Sequence, residues 1–193
     1  MAGEHGAAMR DPIEYDFNER MAFSDGNMPQ ATVETVCMTQ IPDAVSVERA
    51  STRNDRHGVD WWVYRKHSAA LAIDAKVREE DWAAKPHPLT ADDLALETWS
   101  VVEKEVVGWT RDTSKQTDYI LWIWVDTGRW CLVSFPMLCA VMQDNWKQWL
   151  SSYKNSRQST TREYGTYHSE CVFVPRREVW RQIYLKFSGV PAT

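Results

Sequence analysis

The chain has 193 residues, 44% of them hydrophobic, and a formal net charge of −5. That length supplies one hydrophobic core, so a single domain over residues 13–193 is expected, behind a disordered N-terminal stretch over 1–12. The longest apolar run, residues 119–125, is far too short for a membrane span. The start, Met1-Ala2-Gly3-Glu4-His5-Gly6, lacks the basic-then-apolar layout of a signal peptide. Cys37, Cys131, Cys139 and Cys171 show no paired spacing for zinc or a redox couple, and are expected as reduced, mostly buried thiols of a cytoplasmic protein. With 8 Gly, 8 Pro and 5 His, there is no glycine-rich phosphate loop and no histidine-rich metal cluster.

In chain order, residues 15–22 read as a short helix and Ser24-Asp25-Gly26-Asn27 as a turn. Residues 31–40 read as a helix, with Val33, Val36 and Cys37 at helical spacing and Pro42 ending it. Residues 44–49 alternate as a strand. Two apolar runs, 58–65 and 71–78, flank Lys66-His67-Ser68 and predict a hairpin. Residues 79–92, broken by Pro86 and Pro88, predict a loop; 93–100 a strand; 106–115 another loop. Residues 118–125 and 130–135 predict paired strands around the turn sequence Asp126-Thr127-Gly128-Arg129. Pro136 suits a helix start, and Leu138, Val141, Met142, Trp146, Trp149 and Tyr153 make one stripe along that helix. Residues 151–169 have weak periodicity. Their basic part, Lys154 to Arg162, reads better as a mobile surface loop than as a clamp on a nucleic-acid backbone. A short strand over 171–174 and a helix over 178–187 close the chain.

The hairpin carries the chemistry. Side chains alternate along a strand, so Asp74 and Lys76 share one face while Ile73, Ala75 and Val77 take the other. Asp60, on the neighbouring strand, can reach the same side. Mg²⁺ needs only one or two protein carboxylates beside water and phosphate oxygens. Asp60 and Asp74 can supply these, with the Ala75 carbonyl as a further ligand. The ion would acidify a water and neutralise phosphate charge, and Lys76 could orient that water or meet the developing charge. An Asp and a Lys in an apolar strand are costly to bury unless paired or metal-bound. From the spacing alone, a surface hairpin with an ordinary Asp–Lys pair is an equally good reading.

Ser46-Val47-Glu48-Arg49-Ala50, Asp55-Arg56-His57-Gly58-Val59-Asp60, Ile73-Asp74-Ala75-Lys76, Leu94-Ala95-Leu96-Glu97-Thr98-Trp99 and Thr117-Asp118-Tyr119 follow one another along the chain. Together they resemble the PD-(D/E)XK nuclease superfamily, and within it small phage and prophage proteins. Val59-Asp60 stands where the family has Pro-Asp, and Asp74-Ala75-Lys76 matches its (Asp/Glu)-x-Lys. The core resemblance covers roughly residues 31–135. It implies an α/β or α+β domain with a restriction-endonuclease-like core, a mixed central sheet flanked by helices. It further implies Mg²⁺-dependent hydrolysis of DNA, with Mn²⁺ as a substitute metal and catalysis by Asp60, Asp74 and Lys76. The family's auxiliary acidic ligand would fall at Glu34 on the first helix or at Glu97. Members of the fold that have lost activity only bind, so the alternative is an inactive phage accessory or anti-defence factor that engages nucleic acid or a host protein. A homodimer is compatible with either.

Charge divides along the chain. Residues 1–48 carry 9 acidic and 2 basic groups, 49–100 carry 9 and 8, and 101–193 carry 9 and 12. Duplex binders usually show a basic signature, which the whole chain lacks. Arg49, Arg53, Arg56 and Arg78 nevertheless cluster in sequence around the hairpin, where phosphate contacts would be needed. Solvated charges on a mixed surface are the bland reading of the same residues. Most tryptophans sit in apolar stripes and are expected in the core. Trp61 and Trp62 are adjacent on a strand, so one must face away from the layer the other enters.

Overall fold

The computed structural model describes residues 13–14, 29–51, 54, 57–85, 92–162 and 165–189. The expected disordered 1–12 and the expected helix over 15–22 lie outside them. The fold is mixed α+β, with three helices and two five-stranded sheets among the described residues. The expectation of one central sheet is corrected by the second. A long β-ribbon built from the polar 151–169 region pairs with the strand at 93–101 instead of lying as loop.

Helix α1 (Gln30–Gln40) follows Pro29, whose carbonyl accepts from the amides of Thr32 and Val33. Its buried stripe is Val33, Val36 and Cys37. Ile41 leaves the helix in extended conformation just before Pro42, which cannot continue the hydrogen-bond ladder. Strands β2 (Ala44–Arg49), β3 (Trp61–Arg65) and β4 (Leu71–Arg78) form an antiparallel meander. The hairpin and its sidedness stand as expected: Ile73 and Ala75 pack with the α1 stripe, Trp61 and Val63 in one core cluster.

Strand β5 (Asp93–Val101) and the two-residue β6 (Val106–Val107) belong to the other sheet. The chain then returns to lay β7 (Tyr119–Trp124) parallel to β4, with Asp74 opposite Ile120 and Lys76 opposite Trp122. A parallel pair needs a crossover of a dozen or more residues, and here the crossover includes β5 and β6. The start of β7 is pinned by Asp118, whose amide donates to the Ala72 carbonyl and whose carboxylate accepts from the Ala72 amide at 2.8 Å. β7 is buried along nearly its whole length, as its unbroken apolar run requires for a central strand covered on both faces.

Strand β8 (Trp130–Ser134) pairs antiparallel with β7 and leads directly into α2 (Phe135–Ser152). Strands β9 (Asn155–Arg162) and β10 (Gly165–Pro175) form the long ribbon, and α3 (Arg176–Phe187) follows. The short β1 (Ile13–Glu14) adds parallel to β9. The sheet orders are β1-β9-β10-β5-β6 and β2-β3-β4-β7-β8. The larger core lies where both sheets meet α2 and α3, with Leu94, Leu96, Trp122, Leu138, Met142, Val172 and Ile183 among its members. Cys37, Cys131 and Cys139 are buried, Cys171 is half-buried, and no disulfide joins them. No helix among the described residues is long and apolar enough to cross a membrane.

Candidate active site

Asp60 sits immediately before β3 and holds the backbone of β4 on either side of Asp74. Its amide donates to the Ile73 carbonyl at 2.9 Å, and its Oδ2 accepts from the Ala75 amide at 2.8 Å. The approach to Asp60 needs Gly58, which has φ +76°; a Cβ there would also come within 2.8 Å of Thr117 Oγ1 and 3.1 Å of Lys115 Cδ. Thr117 donates its hydroxyl to the Gly58 carbonyl, and Gln116 donates its amide to the His57 carbonyl. The loop before β7 therefore braces the loop before β3, and a glycine is the residue that tolerates both the left-handed backbone and the contact.

Asp74 is 6% exposed. Its Oδ1 lies 2.7 Å from Lys76 Nζ. The ammonium also lies 4.9 Å from the centre of the Trp109 ring. Burial alone would lower the Lys76 pKa, but attraction and hydrogen bonding to Asp74, with attraction to Asp60, outweigh it and raise it. Lys76 is thus an ammonium throughout the neutral range, held by the Asp74 carboxylate and an aromatic face. Because Asp74 and Lys76 lie opposite Ile120 and Trp122, they occupy the sheet face that also lines the larger core.

Glu97 enters from β5. Its Oε2 accepts from the Trp109 amide at 3.0 Å. Burial raises its pKa, against the pull of the Trp109 N–H and of the Lys76 and Lys115 ammonium groups. The turn at 109–111 that carries Trp109 is tied down in three ways. Thr110 donates to the Glu97 carbonyl, Arg111 donates to the Thr98 carbonyl at 3.1 Å, and the Arg111 guanidinium lies against both the Trp99 and Trp146 rings. No sequence signal marked this turn, because its role depends on long-range packing: it rests on β5 and presents Trp109 to Lys76 of the other sheet.

Gly108 shows how closely the turn packs on β5. A Cβ on it would overlap the Glu97 carbonyl oxygen and lie 2.6 Å from the Glu97 carbonyl carbon. Both atoms are backbone and cannot step aside as a flexible side chain could. Gly108→Ala is expected to cost about 1–3 kcal/mol, the usual range for overpacking, and to loosen Trp109 from Lys76. A thermal melt checks the first effect, and the change in intrinsic tryptophan emission checks the second.

Among the described residues, no group of three or more His, Cys, Asp and Glu side chains gathers closely enough to hold a metal ion. Neither expected third ligand joins Asp60 and Asp74 in such a group. Glu34 accepts from Gln30 on α1, the helix that covers the opposite face of the β3–β4 hairpin. Glu97 reaches the site's electrostatics through Lys76, but its carboxylate is engaged by Trp109. Of the arginines proposed for phosphate contact, Arg49 is exposed on β2 with its guanidinium 5.6 Å from the Trp61 ring centre, and Arg78 lies half-buried at the end of β4. Arg53 and Arg56 lie outside the described residues. No family model matches the chain, and no curated protein and no solved structure is significantly similar to it.

Proposed function

We propose that the chain hydrolyses phosphodiester bonds in DNA with a divalent cation, on a restriction-endonuclease-like core made by α1 and the β2–β3–β4–β7–β8 sheet. The observation that carries this reading is the Asp74 carboxylate, 6% exposed and 2.7 Å from the Lys76 ammonium, with Asp60 bonded to the intervening Ala75 amide. The donor chemistry fits Mg²⁺, which binds through one or two carboxylates and otherwise keeps water and substrate oxygens. Asp60 and Asp74 would hold it, and the bound ion would supply an acidified water and charge neutralisation at the phosphate. Beside the Asp74 carboxylate, the Lys76 ammonium can meet negative charge as that charge develops on phosphate oxygens. Asp60 fixes the Asp74–Lys76 stretch of β4 by its bond to the Ala75 amide.

A second reading keeps the same three residues as structure and makes the protein a non-catalytic binder. Two observations favour it: the depth of Asp74, and Trp109 lying against the Lys76 ammonium. Incubation of the purified chain with linear, nicked, branched and single-stranded DNA, in Mg²⁺ or Mn²⁺, separates the two. Cutting of any of these supports the nuclease, and an inert wild type across the panel leaves the binder.

Binding of the cation is itself measurable. A ligand that binds only the folded state adds roughly 2.7 kcal/mol at a hundred times its Kd, which raises Tm by about 5–10 °C for a chain of this size. Thermal melts in Mg²⁺ or Mn²⁺ are expected to exceed those in EDTA. Equal melting temperatures, with no heat of binding by calorimetry, count against a metal at Asp60 and Asp74.

A further inference from the structure

From the last helix we infer a second functional surface: the outer face of α3 binds single-stranded nucleic acid, with its aromatic rings stacking on bases. Val179 and Ile183 point α3 into the core. The flank beside that buried stripe presents Trp180, Tyr184 and Phe187 at 40%, 62% and 48% exposure, with exposed Arg177 and Arg181 along its outer edge. Spacings of four and three residues hold these large rings along one side of the helix. Isolated exposed apolar residues need no explanation, but three aromatic rings in one row form a patch.

Charge selects the occupant. α3 carries Arg176, Arg177, Arg181 and Lys186 against Glu178; Arg176 is paired with Asp92 and Lys186 with Asp144, which leaves Arg177 and Arg181 as the basic groups beside the rings. A second copy docked on this face about a two-fold axis would set its arginines against their own counterparts, at an electrostatic cost. An anionic partner meets no such cost. Arg181 is held by Glu178 through two contacts of 2.8 Å, yet such an exposed pair is worth little and exchanges readily for phosphate. The aromatic spacing favours a strand with separated bases. At a rise of about 1.5 Å per residue the rings step by roughly 6 and 4.5 Å along the axis, wider than the roughly 3.4 Å of a stacked strand. Separate exposed rings suit the free base faces of a single strand, whereas the bases of a duplex are already paired and stacked. Stacking with flanking arginine contacts is the general chemistry of sequence-tolerant single-strand binding.

The inference does not rest on the Asp60–Asp74–Lys76 reading, because binding is measured in EDTA, where no metal-dependent cleavage occurs. The probe is a fluorescein-labelled oligothymidine of ~12 nucleotides, followed by anisotropy. The wild type should bind it, with affinity falling as salt rises, and should bind a duplex of the same length at least tenfold more weakly. Trp180→Ala with Tyr184→Ala should weaken binding by about tenfold or more, while Tyr184→Phe, which keeps the ring, should bind as wild type. Arg177→Gln with Arg181→Gln should weaken binding and flatten its salt dependence. All of these side chains are exposed, and circular dichroism melts confirm that the variants fold. No binding by the wild type overturns the proposal, as does equal binding by the Trp180/Tyr184 variant. It is also overturned if polyglutamate displaces the probe as well as unlabelled oligothymidine does, or if the Tyr184→Ala change abolishes a dimer and leaves oligonucleotide affinity untouched.

Discussion

Asp74→Asn and Lys76→Ala are each expected to lower DNA cleavage by ~10²–10³-fold or more. Asn keeps the shape of Asp74 but forfeits the charge that would hold a cation, so its loss should appear in turnover and in metal dependence together. Lys76→Ala removes a group whose interaction grows only as phosphate charge develops, so turnover should fall more than DNA affinity does. Lys76→Arg should rescue poorly, because a planar fork does not fit the place of a compact ammonium between a carboxylate and the Trp109 ring. Stability provides an internal control. Lys76→Ala leaves the Asp74 carboxylate buried without its partner and should cost about 2 kcal/mol, less than a fully buried pair because the Lys76 side chain is 24% exposed. The folded-state pKa of Lys76 is raised, so the pair's contribution is complete below the ordinary lysine value and fades as pH rises through the higher one. The cost of Lys76→Ala should therefore hold steady across neutral pH and shrink only in strong alkali. If both variants fold, and both cut as fast as the wild type, the nuclease reading fails and the cluster is structural.

Arg129→Ala is expected to be the most destabilising single change outside the hydrophobic core. Asp81 is 1% exposed and takes Arg129 Nε at 2.6 Å and Nη2 at 2.7 Å. Asp81 also caps the short turn Trp82–Ala84 by accepting from the Ala83 amide at 3.1 Å. The third nitrogen of Arg129 bonds Asp92 at 2.7 Å, and Asp92 in turn holds Arg176 at the start of α3. The guanidinium also lies 4.0 Å from the Trp124 ring centre. One side chain thus ties the loop after β4 and the turn after β7 to the entry of β5 and to α3. Its removal strands a buried carboxylate, at a cost of about 3–5 kcal/mol, or a Tm lower by roughly 6–20 °C for this length. Arg129→Lys should recover little, since an ammonium cannot make the paired contacts or stack in the same way. The pH dependence has a definite sign. The Arg129 hydrogen bonds are the largest influence on Asp81 and hold its carboxyl below the ordinary carboxylate value, so the contribution is present above pH 3.8 and is lost as pH falls below it. The gap in stability between wild type and Arg129→Ala should narrow on acidification, as a stranded Asp81 becomes neutral. A gap that widens in acid would contradict this account.

Local pattern made much of the molecule legible. The 3.6-residue spacing of Val33, Val36 and Cys37 and the stop at Pro42 foretold α1. Period-two alternation foretold β2, the β3–β4 hairpin and β5, and the apolar stripe after Pro136 foretold α2. The same alternation put Asp74 and Lys76 on one face, because strand geometry alone dictates it. Three of the four cysteines, Cys37, Cys131 and Cys139, are buried as expected. Of the ribbon, only 171–174 at the end of β10 was legible as a strand; β9 and the first part of β10 were not. The side chains over 155–162 are polar on both faces, so no hydrophobic period marks them, and the ribbon's pairing with β5 is a long-range choice.

What the sequence determined by itself is the local grammar of helix, strand and turn, and the sharing of one strand face by Asp74 and Lys76, since these follow from backbone periods a few residues long. Only the tertiary structure decided what those residues meet. It set Asp60 across the Ala75 amide, laid Trp109 against the Lys76 ammonium and brought Glu97 toward that lysine from another sheet. It kept Glu34 on the helix that covers the other face, and it turned the three aromatic rings of α3 outward. Each of these depends on contacts between segments far apart in the chain, where the deciding quantities are burial and charge proximity, and neither has a period to read.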